Sequence, residues 1–445
     1  MSINTSLNRE INTFSLVRFT LPSIIMLIFM SFYTIVDGIF VSRLIGTNAF
    51  SAINIIFPIM SVSIALGIMF GTGTSAIVSM KLGQGKQNEA NRNLTFVVLF
   101  TIILGIVISI FLYIFLEKII ILLGANENIY KYCYSYALPL IIFIPANILQ
   151  CLFESLFVAK GKPHVGLIVI ILGGISNIVF DYLFIAVFKI GISGAAIATG
   201  IGWCIPSIYG LLYFTLDKKS ALHFVKPKIE WNVLGKVITN GSSEMVSNIS
   251  TGITTFLFNI ILMHFLGEDG VAAIAIILYL DFLLVAISIG YSVGVSPLIS
   301  FNYGCKNYDN LKRLYNLSSK FCIVIGIFIT LITIIFSKEL AGIFTEKGTH
   351  VYNLAVTGLN IYSFGYLFKG FNIFSSAMFT ALNNGKISAI LSFMRTLVLL
   401  TLSLLTLSAL FGVSGIWFAS PFTEVFAFLI CIFFITKLKN YYHYL

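Results

Sequence analysis

Residues 73–83 read GTSAIVSMKLG, and residues 294–304 read GVSPLISFNYG. Gly73, Ser75, Ser79 and Gly83 thus recur 221 residues later as Gly294, Ser296, Ser300 and Gly304. The same shift carries Gly46 onto Gly267, with Ala52 and Ile53 falling on Ala273 and Ile274. It also carries Gly191-x-Ser193-Gly194 onto Gly412-x-Ser414-Gly415, and Ala198 onto Ala419. One constant offset across three separated stretches marks an internal duplication. Small residues at four-residue spacing share a helix face and let backbones approach closely, so these glycines read first as packing positions.

The rest of the chain says what the duplicated unit is. Hydrophobic residues make up 58% of the 445 positions and charged residues 10%, with a mean hydropathy of +1.00. A soluble domain carries about 25% charge. About twelve apolar segments have the roughly 20 residues a membrane-crossing helix needs. The remaining stretches are too short for a separate soluble domain, and the ten-residue alternation of outer-membrane barrels is absent. The expected fold is an all-α polytopic membrane protein with twelve transmembrane helices in two pseudo-symmetric six-helix lobes. Residues 1–216 form the N-terminal lobe, 217–236 a polar cytoplasmic linker and 237–445 the C-terminal lobe. Six spans per half place both halves in the same orientation, related by a pseudo-two-fold along the membrane normal around a central cavity.

The net charge of +10 would suit a nucleic-acid partner, but the distribution speaks against one. Nineteen of the 27 Lys and Arg fall in one set of alternate loops and the termini, six in the other set, while Lys369 and Arg395 lie within spans. Basic loops stay cytoplasmic, so both termini are expected there and the Gly267–Gly270 loop outside. The first span, 16–40, is too long for a signal-peptide core and is read as uncleaved. The six cysteines lack CxxC spacing, and no HExxH pair occurs among the five histidines. No catalytic constellation and no cofactor are expected.

The duplication breaks at the charges. Ionisable residues in hydrocarbon cost at least ~2.5 kcal/mol each, so those that persist face a cavity or a partner. Asp37, Glu154, Asp181, Glu244, Asp281 and Glu424 lie in or at the ends of spans, and none has a charged mate 221 residues away. Asp37 meets Phe258, Glu154 meets Ser375, and Asp181 meets Leu402. Three acids in the first half point to one site in one lobe. Asp37 follows Pro22, a helix-kinking residue, and would otherwise snorkel to the outer end. Asn177 and Asp181 share a helix face, where an amide beside a carboxylate suits a hard cation or a shared proton. Asn177 would otherwise bond helix to helix. Thr199 offers a further hydroxyl. Glu154 reads either as a salt bridge to the Lys160/Lys162 turn or as a buried protonation site. Glu244 reads as a helix-start charge as readily as a transport residue. Asp281 is a further candidate for gating or protonation, and Lys369 and Arg395 are candidate partners for Asp281 and Glu424, in pairs the sequence does not fix.

Several of these stretches resemble the MATE (multidrug and toxic compound extrusion) family, and the resemblance spans nearly the whole chain. They are Leu21-Pro22…Val36-Asp37-Gly38, Glu154-x-x-x-Val158-Ala159-Lys160-Gly161-Lys162-Pro163, Asn177-x-x-x-Asp181-x-Leu183-Phe184 and Gly294-x-Ser296-Pro297…Asn302-Tyr303-Gly304. The resemblance implies two six-helix lobes exporting organic cations and drugs against an inward H⁺ or Na⁺ gradient by alternating access. It implies a first-lobe coupling site at Asp37, Asn177, Asp181 and Thr199, with Asp37, Asn177 and Asp181 as metal ligands if Na⁺ is the ion. The Glu154 motif is similar to the MepA/DinF-like bacterial branch, which implies a multi-pass protein of the bacterial cytoplasmic membrane, expected as a monomer. Ser243 departs from the family pattern, standing where a proline would face Pro22. A lipid-linked-precursor flippase of the same superfamily would favour fourteen spans and a cationic cavity, and a membrane enzyme would need catalytic residues not found here.

Overall fold

The computed structural model describes residues 6–445, apart from the side chains of Ile35, Ile39, Ser42 and Thr47. In hydrocarbon every backbone polar group needs an internal partner, and apolar runs of this length meet that need as helices. The first lobe comprises α1 (Thr13–Leu44), α2 (Thr47–Gly83), α3 (Gln87–Leu122), α4 (Glu127–Ala159), α5 (Pro163–Asp181) with a π-helical turn at Tyr182–Val187, and α6 (Ile192–Leu216). The second comprises α7 (Trp231–Gly304), α8 (Tyr308–Ile335), a short α9 (Ser337–Gly342), α10 (His350–Tyr362), α11 (Tyr366–Ala381), α12 (Gly385–Phe393) with a π-helical turn at Met394–Leu399, and α13 (Leu400–Tyr442). Asparagine side chains start several of them. Asn12 accepts from Ser15 N–H at 2.8 Å and Asn126 from Ile129 N–H at 3.0 Å, satisfying amides the first turn leaves unpaired.

Nine helical stretches of the described residues are long and apolar enough to cross a membrane. Two of them, Trp231–Gly304 and Gly385–Tyr442, are 74 and 58 residues long, twice what a crossing needs. Each turns back at one glycine with positive φ, Gly267 (64°) and Gly412 (58°). The α10–α11 pair, joined through a 3₁₀ turn at Ser363–Gly365, supplies a further crossing. The expected four-residue Gly267–Gly270 loop is therefore a single-residue pivot, because a left-handed glycine reverses the chain without a longer connection.

The pivots repeat with the sequence. Left-handed backbone occurs at Gly46 and Gly267, at Gly85 and Lys306, and at Gly191 and Gly412, each pair 221 residues apart. The duplicated glycines of the opening motif sit where the two halves touch. A methyl group on Gly83 would strike the Phe301 carbonyl, and one on Gly304 the Met80 carbonyl. Gly73 and Gly241 are pressed in the same way against the backbone of Val237 and Met69. On the other flank, Gly290 packs on Ile24 and Gly294 on Thr20 of α1.

This seam lies toward the end of the molecule that carries most of the basic loops. There Gln87 donates to the Ala221 carbonyl at 3.1 Å, tying the connection after α6 to α3. Lys160, its side chain 1% exposed, lies 3.2 Å from Asp217 and 4.1 Å from the Tyr213 ring centre. Burial alone would raise the Asp217 carboxyl, but the hydrogen bond and charge of Lys160 outweigh it and hold it below the ordinary carboxylate range. Burial pulls the Lys160 ammonium below its usual value, and Asp217 pushes partly back. The segment between α6 and α7 runs over residues 217–230; α7 starts at Trp231, earlier than the expected 237.

Candidate functional site: an unneutralised acid pair in the first lobe

Three acids of the first lobe each have a polar residue one helical turn before them, at a spacing that puts both on one face. These pairs are Tyr33/Asp37 on α1, Gln150/Glu154 on α4 and Asn177/Asp181 on α5. Packing of α1 on α5, and of α4 and α5 on α6, turns the three faces toward each other. The Asp37 and Asp181 carboxyls come within hydrogen-bond reach of one another. Asp181 is fully buried, and neither of its oxygens has a donor among the described residues; Asp37 Oδ1 has none either.

Asn177 Nδ2 donates to Thr199 Oγ1 at 3.3 Å, which leaves Asn177 Oδ1 as a further buried oxygen without a partner. A small cavity lined by Tyr33, Gln150, Asn177, Thr199 and Trp203 adjoins these groups. The Tyr33 hydroxyl meets the Gln150 amide, whose Nε2 donates to Glu154 Oε1 at 3.3 Å. Tyr136 lies close to both aspartates. No cation of the protein approaches the pair among the described residues. What it offers is oxygen, a donor set suited to a hard cation or to a proton held between two carboxyls.

Sequence reasoning brought together Asp37, Asn177, Asp181 and Thr199, and the structure places all four in one cluster. It missed Tyr33, Gln150 and Tyr136, although the four-residue spacing was visible for the first two. The Glu154 salt-bridge reading fails. Lys160 turns instead to Asp217 and the Tyr213 and Phe214 rings, which offer an ammonium better contacts than the far side of its own helix. Pro22 lies inside α1, which continues as one helix through it. It stands between Thr20 and Ile24, which with Ser23 press against glycines of the second lobe.

The second lobe treats its acids differently. Lys369 Nζ holds both Asp281 oxygens, at 2.7 and 2.9 Å. Arg395 Nη1 lies 3.3 Å from Glu424 Oε1, and Asn372 donates to Glu424 Oε2 at 2.7 Å. Each of these acids is paired with a cation, the arrangement in which a buried charge is tolerable. Glu244 is the exception, with no ion pair among the described residues, although the charge of Arg395 reaches it. The reading as a helix-start charge is corrected, because α7 begins thirteen residues earlier at Trp231. Glu244 instead lines a cavity between the lobes, together with Ser75 and Ser155 of the first lobe and Ser292 and Thr380 of the second.

Comparison with known proteins decides the family. The MatE family model matches residues 22–183 and again 245–405. The chain belongs to the MATE family. The two matches fall one on each half, so the duplication seen in the glycines is a property of the MATE fold. Among curated relatives, the multidrug export protein MepA of Staphylococcus aureus is 25% identical over 414 residues, covering 90% of this chain and 88% of the relative. MepA of Staphylococcus saprophyticus is 25% identical over 438 residues, covering 96% and 94%. A MATE crystallised in complex with MaL6 superposes with a TM-score of 0.92 at 22% identity, covering 98% of this chain and 99% of that one. The outward-facing conformation of a multidrug resistance MATE transporter gives 0.91 at 23% identity, covering 98% of each chain. This MATE-family chain is thus an all-α polytopic membrane protein.

Proposed function

We propose that this chain is a cation-coupled antiporter that exports organic, cationic compounds by alternating access, driven by H⁺ or Na⁺ returning through the first lobe. The observation that carries the reading is the Asp37–Asp181 pair, with Asp181 fully buried and Asp37 half-buried, and with no cation among the described residues to match it, in a lobe whose counterpart neutralises Asp281 and Glu424. Two adjacent carboxylates out of water repel each other and lose hydration, so the pair requires a proton or a metal ion between them. If the ion is Na⁺, Asp37, Asp181, Asn177 and Thr199 supply the oxygens. Relatives bearing the name multidrug export protein support the export reading.

Coupling needs an element that feels both the ion and the lobe seam, since an ion biases an equilibrium only by binding one state better than the other. α1 is that element. Asp37 sits toward one end, and Thr20 and Ile24 touch Gly294 and Gly290 of the other lobe toward the other. Pro22 between them removes a backbone hydrogen bond from α1 and provides a place to bend. Occupation of the pair lets α1 move against α5, and the seam loosens or closes with it. The basic loops mark the end of the molecule that faces the cytoplasm, with both termini on that side of a bacterial cytoplasmic membrane.

The reading is tested by loading purified protein into vesicles and following a fluorescent organic cation under imposed H⁺ and Na⁺ gradients. Accumulation that follows one ion gradient and collapses with it is the expected result. Movement indifferent to both gradients refutes ion coupling.

A further inference from the structure

The cavity between the lobes has an unusual lining. Its one ionisable residue is Glu244, and no aromatic side chain contributes to its wall. Hydroxyls do: Thr72, Ser75 and Ser155 from the first lobe, and Ser292, Ser296 and Thr380 from the second. Several of these hydroxyls have already spent their proton. Thr72 Oγ1 donates to the Ile68 carbonyl at 2.9 Å and Ser296 Oγ to the Ser292 carbonyl at 2.7 Å. Thr380 Oγ1 lies 3.2 Å from the Asn240 carbonyl and 2.7 Å from Ser388 Oγ. A hydroxyl whose hydrogen is committed to a carbonyl presents only lone pairs to anything else. Ser292, only 2% exposed, also lines the cavity, and its buried hydroxyl oxygen has no partner among the described residues.

Resting on the export reading above, we infer that this cavity selects cations carrying N–H donors, such as protonated amines, amidinium and guanidinium groups, over quaternary ammonium ions. Glu244 takes the charge, and the acceptor-facing hydroxyls take the hydrogens. A quaternary ammonium has no hydrogen to give, and proteins recognise it through aromatic faces, which this lining lacks. Each N–H to oxygen bond made by a charged group contributes roughly a factor of ten in affinity in a desolvated site. Three added methyl groups favour entry into an apolar site, so a preference for the bare ammonium would run against bulk hydrophobicity.

The probes are octylammonium and octyltrimethylammonium, bound to purified full-length protein in lipid nanodiscs and then transported in vesicles under the driving gradient. Octylammonium is expected to bind at least about ten-fold more tightly. Thr72→Val and Ser296→Ala should shrink that ratio several-fold by weakening octylammonium more than the trimethyl compound. Because the ratio is taken within each variant, it does not depend on how much of that variant folds. Equal or tighter binding of the trimethyl compound overturns the inference and leaves the export reading standing. So does a ratio that neither substitution alters, or displacement of neither probe by Glu244→Gln. If neither cation binds or moves, the inference and the export reading fall together.

Discussion

The seam between the lobes gives the sharpest perturbation. Gly83 and Gly304 cross where α2 meets the second half of α7, and a Cβ on Gly83 would lie 2.9 Å from Cys305 N and 3.1 Å from Gly304 Cα. Its nearest neighbour, the Phe301 carbonyl, is closer still, and all three are backbone atoms that no side-chain rotation can move. Gly83→Ala must therefore push the lobes apart at this end. Overpacking a close contact costs ~1–3 kcal/mol. The gain in helix propensity from Gly to Ala accrues to α2 whether the seam is shut or open, so the overpacking cost falls on the closed state alone. A shift of that size changes the ratio of closed to open molecules by roughly 5- to 150-fold. Gly235→Ala, on the same α7 but with nothing near its Cβ, is the matched control. Spin labels on Lys218, in the connection tied to α3, and on Lys386 of the second lobe report the separation at the basic end by pulsed electron resonance. The expected result is a longer distance for Gly83→Ala and slower turnover, with Gly235→Ala unchanged on both counts. An unchanged distance distribution in Gly83→Ala would refute the seam as the closing contact.

Three further outcomes follow from the ion pairs and the topology. Lys369→Met strands the Asp281 carboxylate and should cost ~3–5 kcal/mol of stability, read by thermal unfolding; Asp281→Asn combined with it should recover most of that loss, and no recovery would show that Lys369 acts by packing. Asp217 has its folded-state pKa depressed by Lys160, so its pair contributes above the unfolded value near ~3.9 and fades as pH falls through the lower folded one. The difference in melting temperature between the protein and Asp217→Asn should therefore stay constant from about pH 8 to pH 5 and shrink below about pH 4; a difference that shrinks on going to alkaline pH instead would contradict the sign. Single cysteines replacing Lys219 and Asp269, in a background cleared of the natural six, should label from opposite faces of the membrane, Lys219 from the cytoplasm. Labelling of Lys219 from outside would invert the proposed orientation.

Much of this was legible in the chain, for physical reasons that differ by residue. Gly46, Gly267, Gly191 and Gly412 stand at positive φ, and Gly83 and Gly304 where backbones touch, so their repeat survives where lipid-facing residues drift. Asn177 and Asp181 were readable as a pair because four residues make one turn. Asp37 could be named as an acid in a span, but nothing in the sequence says that α1 packs on α5. The same ignorance of facing hid Lys369 with Asp281, 88 residues apart, and left Glu154 and Lys160 looking like partners. The helix-start alternative for Glu244 fails for a simpler reason. The polar residues of 231–236 resemble linker by composition, yet they form the first turns of α7 because tertiary contact with α2 and α3 supports them.

On the proposed function, the coupling ion binds at the first-lobe acid pair alone. Asp181→Asn preserves side-chain size and deletes one carboxylate of the pair. In vesicles, substrate-stimulated ion flux should disappear in Asp181→Asn and in Asp37→Asn while both proteins still insert and fold. At saturating substrate it should persist in Glu244→Gln, whatever that change does to substrate affinity. Ion flux that continues in Asp181→Asn and stops in Glu244→Gln would contradict the claim and move the coupling site to the second lobe.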